Sequence, residues 1–394
     1  MLLAFARLSL GGYLLYGFGY LVPLLRRDLG LSESIAGLHA SAIAVGIILS
    51  GVAGERFVRR LGPEVAARTA ILGMGAACLA VAFAPHPAVS LSGGLVFGFF
   101  AGAVLSWVNQ GLSALGGHAA NVALARANLL ALIATLFAPL AIAAFDDWGI
   151  GGRLGLLVPL PLIGLLEVVN WRRPMGAPGA PNVVAAAPNA VAAAPEARTG
   201  REPSHRGTRL PAAYWRAWVV LVLVVSLEFA VVFWGSTLVA TQTGAGTALA
   251  TTAAAAFVVG MVLGRGIVAT GIGRRTTRTR LMTVALIVVV VGIGGAWQAT
   301  SVALSAGSLF LAGLGVGPLY PVGVAFSLSL ASSAPDAAAA RTTLASGVAI
   351  LSAPFILAVA AERVGLVSAW PLLAVIALAA IGMLVVTRRD ARAV

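Results

Sequence analysis

Twelve stretches of this chain are each apolar over about the length a helix needs to cross a bilayer, and few folds satisfy that constraint. A span takes roughly 20 mostly apolar residues to cover about 30 Å of hydrocarbon. Inside lipid, a helix is the element that satisfies its own backbone polar groups within one segment. The stretches are 3–25, 36–54, 64–84, 90–112, 122–145, 151–171, 213–240, 247–269, 279–297, 301–330, 340–361 and 366–387. With 60% hydrophobic and 10% charged residues, a water-soluble exterior could not be assembled. Leu2 to Leu25 has no basic leader region and no convincing cleavage site, so it reads as a retained first span. An all-α membrane protein with twelve spans is expected.

The chain also repeats itself. Ala125-Arg126, Leu129, Ala134, Leu136, Ala138-Pro139 and Ala143 recur 215 residues later as Ala340-Arg341, Leu344, Ala349, Leu351, Ala353-Pro354 and Ala358. Asp147 and Glu362 close the two copies. Gly98 and Gly102 of span 4 fall on Gly313 and Gly317 of span 10 at the same offset. Spans 2 and 8 align at an offset of 209, matching Gly51-Val-Ala-Gly-Glu55-Arg56 to Gly260-Met-Val-Leu-Gly264-Arg265. Two pseudo-symmetric six-helix bundles follow, over 1–171 and 212–394, joined by 172–211. That joining segment is rich in Ala, Pro, Asn, Gly and Arg and reads as a flexible cytoplasmic linker.

All basic residues are arginines, and their placement sets an orientation. With both termini in the cytoplasm, only Arg26, Arg27, Arg153 and Arg363 lie outside. The rest lie inside, as the positive-inside rule requires for a multi-pass protein of the inner (cytoplasmic) membrane. The net charge of +13 is thereby explained without a nucleic-acid partner. Cys78 is the single cysteine and the four histidines show no ligand spacing, so neither a disulfide nor a metal site is expected. There is no phosphate-binding loop, nucleophile elbow or zinc-protease signature, so no enzyme and no cofactor are expected.

The segment after span 2 reads Gly51-Val-Ala-Gly-Glu55-Arg56-Phe-Val-Arg59-Arg60. It is similar to the loop motif G-x-x-x-D-R-x-G-R-R/K of the major facilitator superfamily, with Glu55 in place of the acid and Val58 in place of the second glycine. The parallel halves with a long central loop resemble that superfamily too. The resemblance implies a secondary transporter that rocks its two halves around a midplane site. It also implies that Glu55 latches onto the start of span 11 near Arg341 when the cytoplasmic gate is shut. A carboxylate suits a helix N-terminus, where the dipole favours negative charge. Arg56, Arg59 and Arg60 can pair with acids or face anionic lipid. Gly264 stands opposite Glu55 in the second half, so the latch is expected on one side only.

Pro139 and Pro354 are expected to kink spans 5 and 11 at matched heights. Ala134-x-x-x-Ala138-Pro139 is similar to the antiporter motif G-x-x-x-G-P and points weakly toward export. Span 4 carries Gly98 where many drug antiporters of the superfamily carry arginine, which sets the chain apart from that subgroup.

Glu228, near the middle of span 7, is the deepest ionisable residue, with no arginine expected at its depth. Charge there is costly and such residues mark substrate or proton paths, so Glu228 is the candidate proton carrier. Glu167 is expected to pair with Arg172 or Arg173. Spans 1, 4, 7 and 10 line the pore in superfamily members. They would supply Tyr13, Tyr16, Tyr20, Trp107, Asn109, Gln110, Trp234 and Tyr320 to a substrate cavity, with Gln242 at the outer end of span 7. Rings and amides suit a small, partly apolar organic molecule or a sugar. The absence of an expected basic residue mid-membrane argues against a dianionic substrate such as a phosphate ester, and a neutral or cationic solute is favoured. The function expected is proton-coupled movement of such a solute by a monomer in the bilayer. Efflux stands slightly ahead of uptake by a sugar or metabolite symporter, and a non-transporting receptor or lipid scramblase comes last.

Overall fold

The computed structural model describes residues 2–113, 117–170, 210–269, 276–331 and 335–393. Nearly all of linker 172–211 lies outside them. The helices are α1 (Leu2–Leu29), α2 (Glu33–Leu61), α3 (Pro63–Ala82), α4 (Pro87–Ser113), α5 (Gly117–Asp147), α6 (Leu160–Val169), α7 (Ala212–Thr243), α8 (Thr247–Ala269), α9 (Arg278–Trp297), α10 (Val302–Ser329), α11 (Pro335–Val364), α12 (Leu366–Ala369) and α13 (Pro371–Ala393). Among the described residues twelve spans are long and apolar enough to cross a membrane. The sixth begins as a 3₁₀ turn, Gly152–Leu157, and becomes α-helical only after Pro159. The twelfth is broken at Trp370 ahead of Pro371, a residue that cannot donate to the preceding turn.

Local chemistry explains the boundaries. Ser32 caps α2 by accepting the Ile35 N–H, and Ser301 caps α10 by accepting that of Leu304. Gly62, at φ 79°, makes the tight turn from α2 into α3, with Pro63 as the first helical residue. The outward faces are apolar, with Phe137 58% and Ile356 60% exposed. In water such a surface would aggregate, whereas in lipid it is the ordinary exterior.

α1 to α6 form one bundle and α7 to α13 the other. Each is knitted by glycines that let backbones touch. A Cβ on Gly98 of α4 would overlap the Ile43 carbonyl of α2, and one on Gly313 of α10 would overlap the Phe257 carbonyl of α8. Gly46 fits against Leu95 and Phe99 just as Gly260 fits against Phe310 and Leu314. These crossings pair position 46 with 260 and 43 with 257, an offset of 214 rather than 209. The sequence alignment of spans 2 and 8 is thus corrected by more than a helical turn. Gly51, not Arg56, is the structural counterpart of Arg265.

The bundles meet through α2 against α11, α5 against α8 and α1 against α7. At the end remote from the termini, polar groups bridge them. Ser34 donates its backbone N–H (3.1 Å) and its hydroxyl to Glu362. The Ser41 hydroxyl donates to the Leu351 carbonyl at 2.6 Å, and Arg27 reaches Thr247 at 3.4 Å. Gly37 brings α2 onto α11 there, with the Pro354 carbonyl 3.3 Å from where a Cβ would stand.

Candidate functional site

Between the bundles lies a chamber of about 470 Å³. α1 contributes Leu8 to Tyr16, α7 Val225 to Phe229, α10 Tyr320 and Pro321, and α11 Ser346 to Ile350. Each set lies at the middle of its helix or between the middle and the end that carries the termini. The far end is bridged as described above, so the chamber faces the terminal side. Its wall is mainly aliphatic, interrupted by Tyr16, Arg126, Thr135, Glu228, Arg265 and Tyr320 among others.

Glu228 sits at the seam. It is 5% exposed, and the Tyr16 hydroxyl of the opposite bundle donates to its Oε1. Phe229 brackets Tyr16, with ring centroids 6.0 Å apart. Burial makes an unpaired carboxylate costly, and a hydrogen bond offsets part of that cost.

Arg265 corrects the expectation that no arginine lies at this depth. Gly264 packs against Leu314 and Pro318, near the middle of α10, which puts Arg265 level with the centre of that helix. Its Nε donates to the Gly317 carbonyl at 2.9 Å. Pro321 is the reason this carbonyl is available. It stands four residues on, where the helix would normally supply an N–H, and proline has none. Glu228 and Arg265 share the chamber wall with Tyr16 and Tyr320. Arg126, from α5, reaches the chamber from the other bundle and is exposed to it.

Several expected cavity residues face elsewhere. Tyr13 donates to the Gly155 carbonyl at 2.6 Å, inside its own bundle. Trp107 lies under the Arg7 guanidinium, 4.7 Å from its ring centre. Trp234 is 1% exposed and donates through Nε1 to the Pro354 carbonyl at 3.0 Å. Tyr20 donates to the Ala254 carbonyl at 3.4 Å, and Gln242 to that of Trp297 at 2.6 Å. Asn109 is half-buried, with both amide atoms enclosed and unpartnered among the described residues, and does not line the chamber. The Gln110 side chain lies outside the described residues. Of the expected residues, Tyr16, Glu228 and Tyr320 share the chamber. Glu167 is expected to pair with Arg172 or Arg173, which lie outside the described residues. It accepts two hydrogen bonds from Arg7, at 2.8 and 2.7 Å, with both side chains buried.

At the expected gate, α2 continues through Leu61, so the motif forms its last turns rather than a loop. Gly51, Arg56, Arg59 and Arg60 are exposed there, and the Glu55 side chain lies outside the described residues. Arg341 lies 5.9 Å over the Trp215 ring, and its carbonyl accepts from Trp218 at 2.6 Å. Pro139 and Pro354 both lie inside their helices.

Sequence comparison matches residues 8–354 to the Major Facilitator Superfamily. The chain belongs to that superfamily. As a major facilitator it is a secondary transporter, not an enzyme. Comparison with curated protein sequences gives no match. Solved major facilitator structures superpose over nearly the full length. A bacterial homolog of the human lysosomal transporter Spinster, inward-facing and unoccupied, gives a TM-score of 0.75 at 12% identity, covering 98% of this chain and 96% of that one. A peptide transporter gives 0.75 at 15% identity over 99% and 94%. A nucleoside transporter gives 0.73 at 12% identity over 98% and 99%. At these identities the likeness fixes the fold of this major facilitator and leaves its solute open.

Proposed function

We propose that this major facilitator moves a small, partly apolar organic solute by proton-coupled alternating access, with Glu228 as the proton carrier. The observation that carries the reading is the Tyr16–Glu228 hydrogen bond, which joins the two bundles at the wall of the chamber. A carboxyl at that seam changes its surroundings whenever the bundles rock, so its proton affinity differs between states. The arginine distribution supports cytoplasmic termini in the inner membrane, which makes the conformation described here inward-facing. The halves 1–171 and 212–394 act as the rocking units of a monomer, with 172–211 as their tether. Glu55, Gly51, Arg56, Arg59, Arg60 and Arg341 form the cytoplasmic gate in the opposite state.

Direction depends on whether solute and proton compete or bind together. Competition gives export, the direction favoured by Ala134-x-x-x-Ala138-Pro139. Joint binding gives uptake, and Arg126 and Arg265 beside Glu228 favour it. Uptake symport is therefore the reading the geometry carries. Proteoliposomes with a trapped pH dye, challenged with sugars, organic acids and amines, test it. One solute class should carry protons inward, and Glu228→Gln should abolish uphill accumulation while sparing solute exchange. Proton movement unaltered in Glu228→Gln would remove this carboxyl from the mechanism.

A further inference from the structure

We propose that the solute is an amphipathic organic monoanion, its acidic group held by Arg265 and Arg126 and its apolar body lying along Leu15, Leu105, Leu132 and Ile350. The inference rests on the chamber being the transport site and names what that site takes.

Arg265 is half-buried at membrane depth, where an uncompensated guanidinium is costly. Among the described residues only its Nε is hydrogen-bonded, to the Gly317 carbonyl. That single bond fixes the plane of the group and leaves the two Nη nitrogens without a hydrogen bond among the described residues, a fork suited to two acidic oxygens. Arg126 has no hydrogen-bond or ion-pair partner among the described residues and approaches from the other bundle. An acid bridging the two would tie both bundles to one ligand.

Charge decides between solute classes. The chamber wall carries two guanidinium groups against one carboxyl, Glu228, so it remains net positive whether or not that carboxyl holds a proton. A cation would meet two repulsive groups and one attractive one. A sugar needs many hydrogen-bonding partners, whereas most of this wall is aliphatic. An anion with an apolar body satisfies both the arginines and the wall. A single charge matches the single net positive unit left when Glu228 is ionised. Protonation of Glu228 adds a second, so proton and anion each favour binding of the other, as linkage requires. Such a solute could come from water or from the surrounding lipid, and chain length separates the two.

The test is thermal melting of the full chain in lipid nanodiscs with benzoate, hexanoate and palmitate, each beside its amide and its amine. At least one carboxylate should raise the melting temperature and bind about tenfold or more tightly than its amide. Benzoate or hexanoate points to a water-borne source, and palmitate alone points to the bilayer. Arg265→Gln or Arg126→Gln should weaken that binding about tenfold or more, with Arg265→Lys retaining part of it. If Arg265→Gln fails to fold, Arg126→Gln carries the test, because Arg126 is exposed. Amides or amines binding as well as carboxylates would overturn the proposal. So would no carboxylate binding at all, or full binding in the folded glutamine variants. Glu228→Gln, neutral like the protonated carboxyl, should bind the carboxylate more tightly while losing proton-driven accumulation, so a failure of proton coupling is distinguished from a failure of anion recognition.

Discussion

Glu362, in the last turn of α11, accepts both the backbone N–H and the hydroxyl of Ser34, in the first turn of α2. A carboxylate of one bundle thus caps a helix N-terminus of the other, the arrangement expected from the sequence for Glu55 at the opposite end. Glu362→Gln should loosen the far end and raise the population of the state open at that end. A cysteine at Ser41 reports it, because Ser41 contacts Leu351 across the same seam and native Cys78 is buried. Maleimide labelling from the far side should be several-fold faster in the Glu362→Gln background. Equal rates would mean that the cap does not hold the seam.

Arg7 and Glu167 form a buried pair within the first bundle. Removing one partner leaves a charge in a low-dielectric site, which typically costs about 3–5 kcal/mol. Arg7→Met and Glu167→Gln should each lower the melting temperature markedly, and the double variant should recover part of the loss. Strictly additive losses would argue against a coupled pair.

Gly98 and Gly313 stand where a methyl group would enter a neighbouring backbone, while Gly51 faces open space. Gly98→Ala and Gly313→Ala should destabilise by roughly 1–3 kcal/mol through overpacking. Gly51→Ala should be neutral, or stabilising by about 0.5–1 kcal/mol, since alanine suits a helix interior better. Melting of the three variants side by side decides it, and equal behaviour would refute the packing assignment.

Tyr16→Phe removes the hydroxyl that meets Glu228 across the seam. A hydrogen bond to a charged group is worth about 1.5–3 kcal/mol, so gradient-driven transport should fall roughly tenfold or more while solute exchange persists. Native rates of gradient-driven transport would show that the bond contributes nothing to coupling.

The twelve spans were legible because bilayer crossing demands length and apolarity, and both are local properties of sequence. The shared plan of spans 5 and 11 was legible for the same reason, as a gap-free match. The register of spans 2 and 8 was not. Matching Arg56 to Arg265 aligned similar letters, whereas the helices are registered by glycines lying against carbonyl oxygens of α4 and α10. That shift hid Arg265 among the cytoplasmic arginines although it reaches the chamber. Span membership and residue type point Tyr13, Trp107 and Trp234 toward the cavity, but neither says which face of a helix turns inward. Each is held by a partner inside its own bundle. Pro321, four residues after Gly317, was the available signal for an unclaimed carbonyl, and its arginine donor could be named only once α8 was placed.

The two prolines inside α10, Pro318 and Pro321, have a consequence for motion. A helix missing rungs of its ladder bends most readily there, and here the carbonyl facing Pro321 is held by Arg265. Any flexing that turns the Gly317 oxygen aside also frees the guanidinium to swing. Backbone hinge and charged side chain thus move as one mechanical part, and the posture of the helix is felt directly where cargo would be gripped.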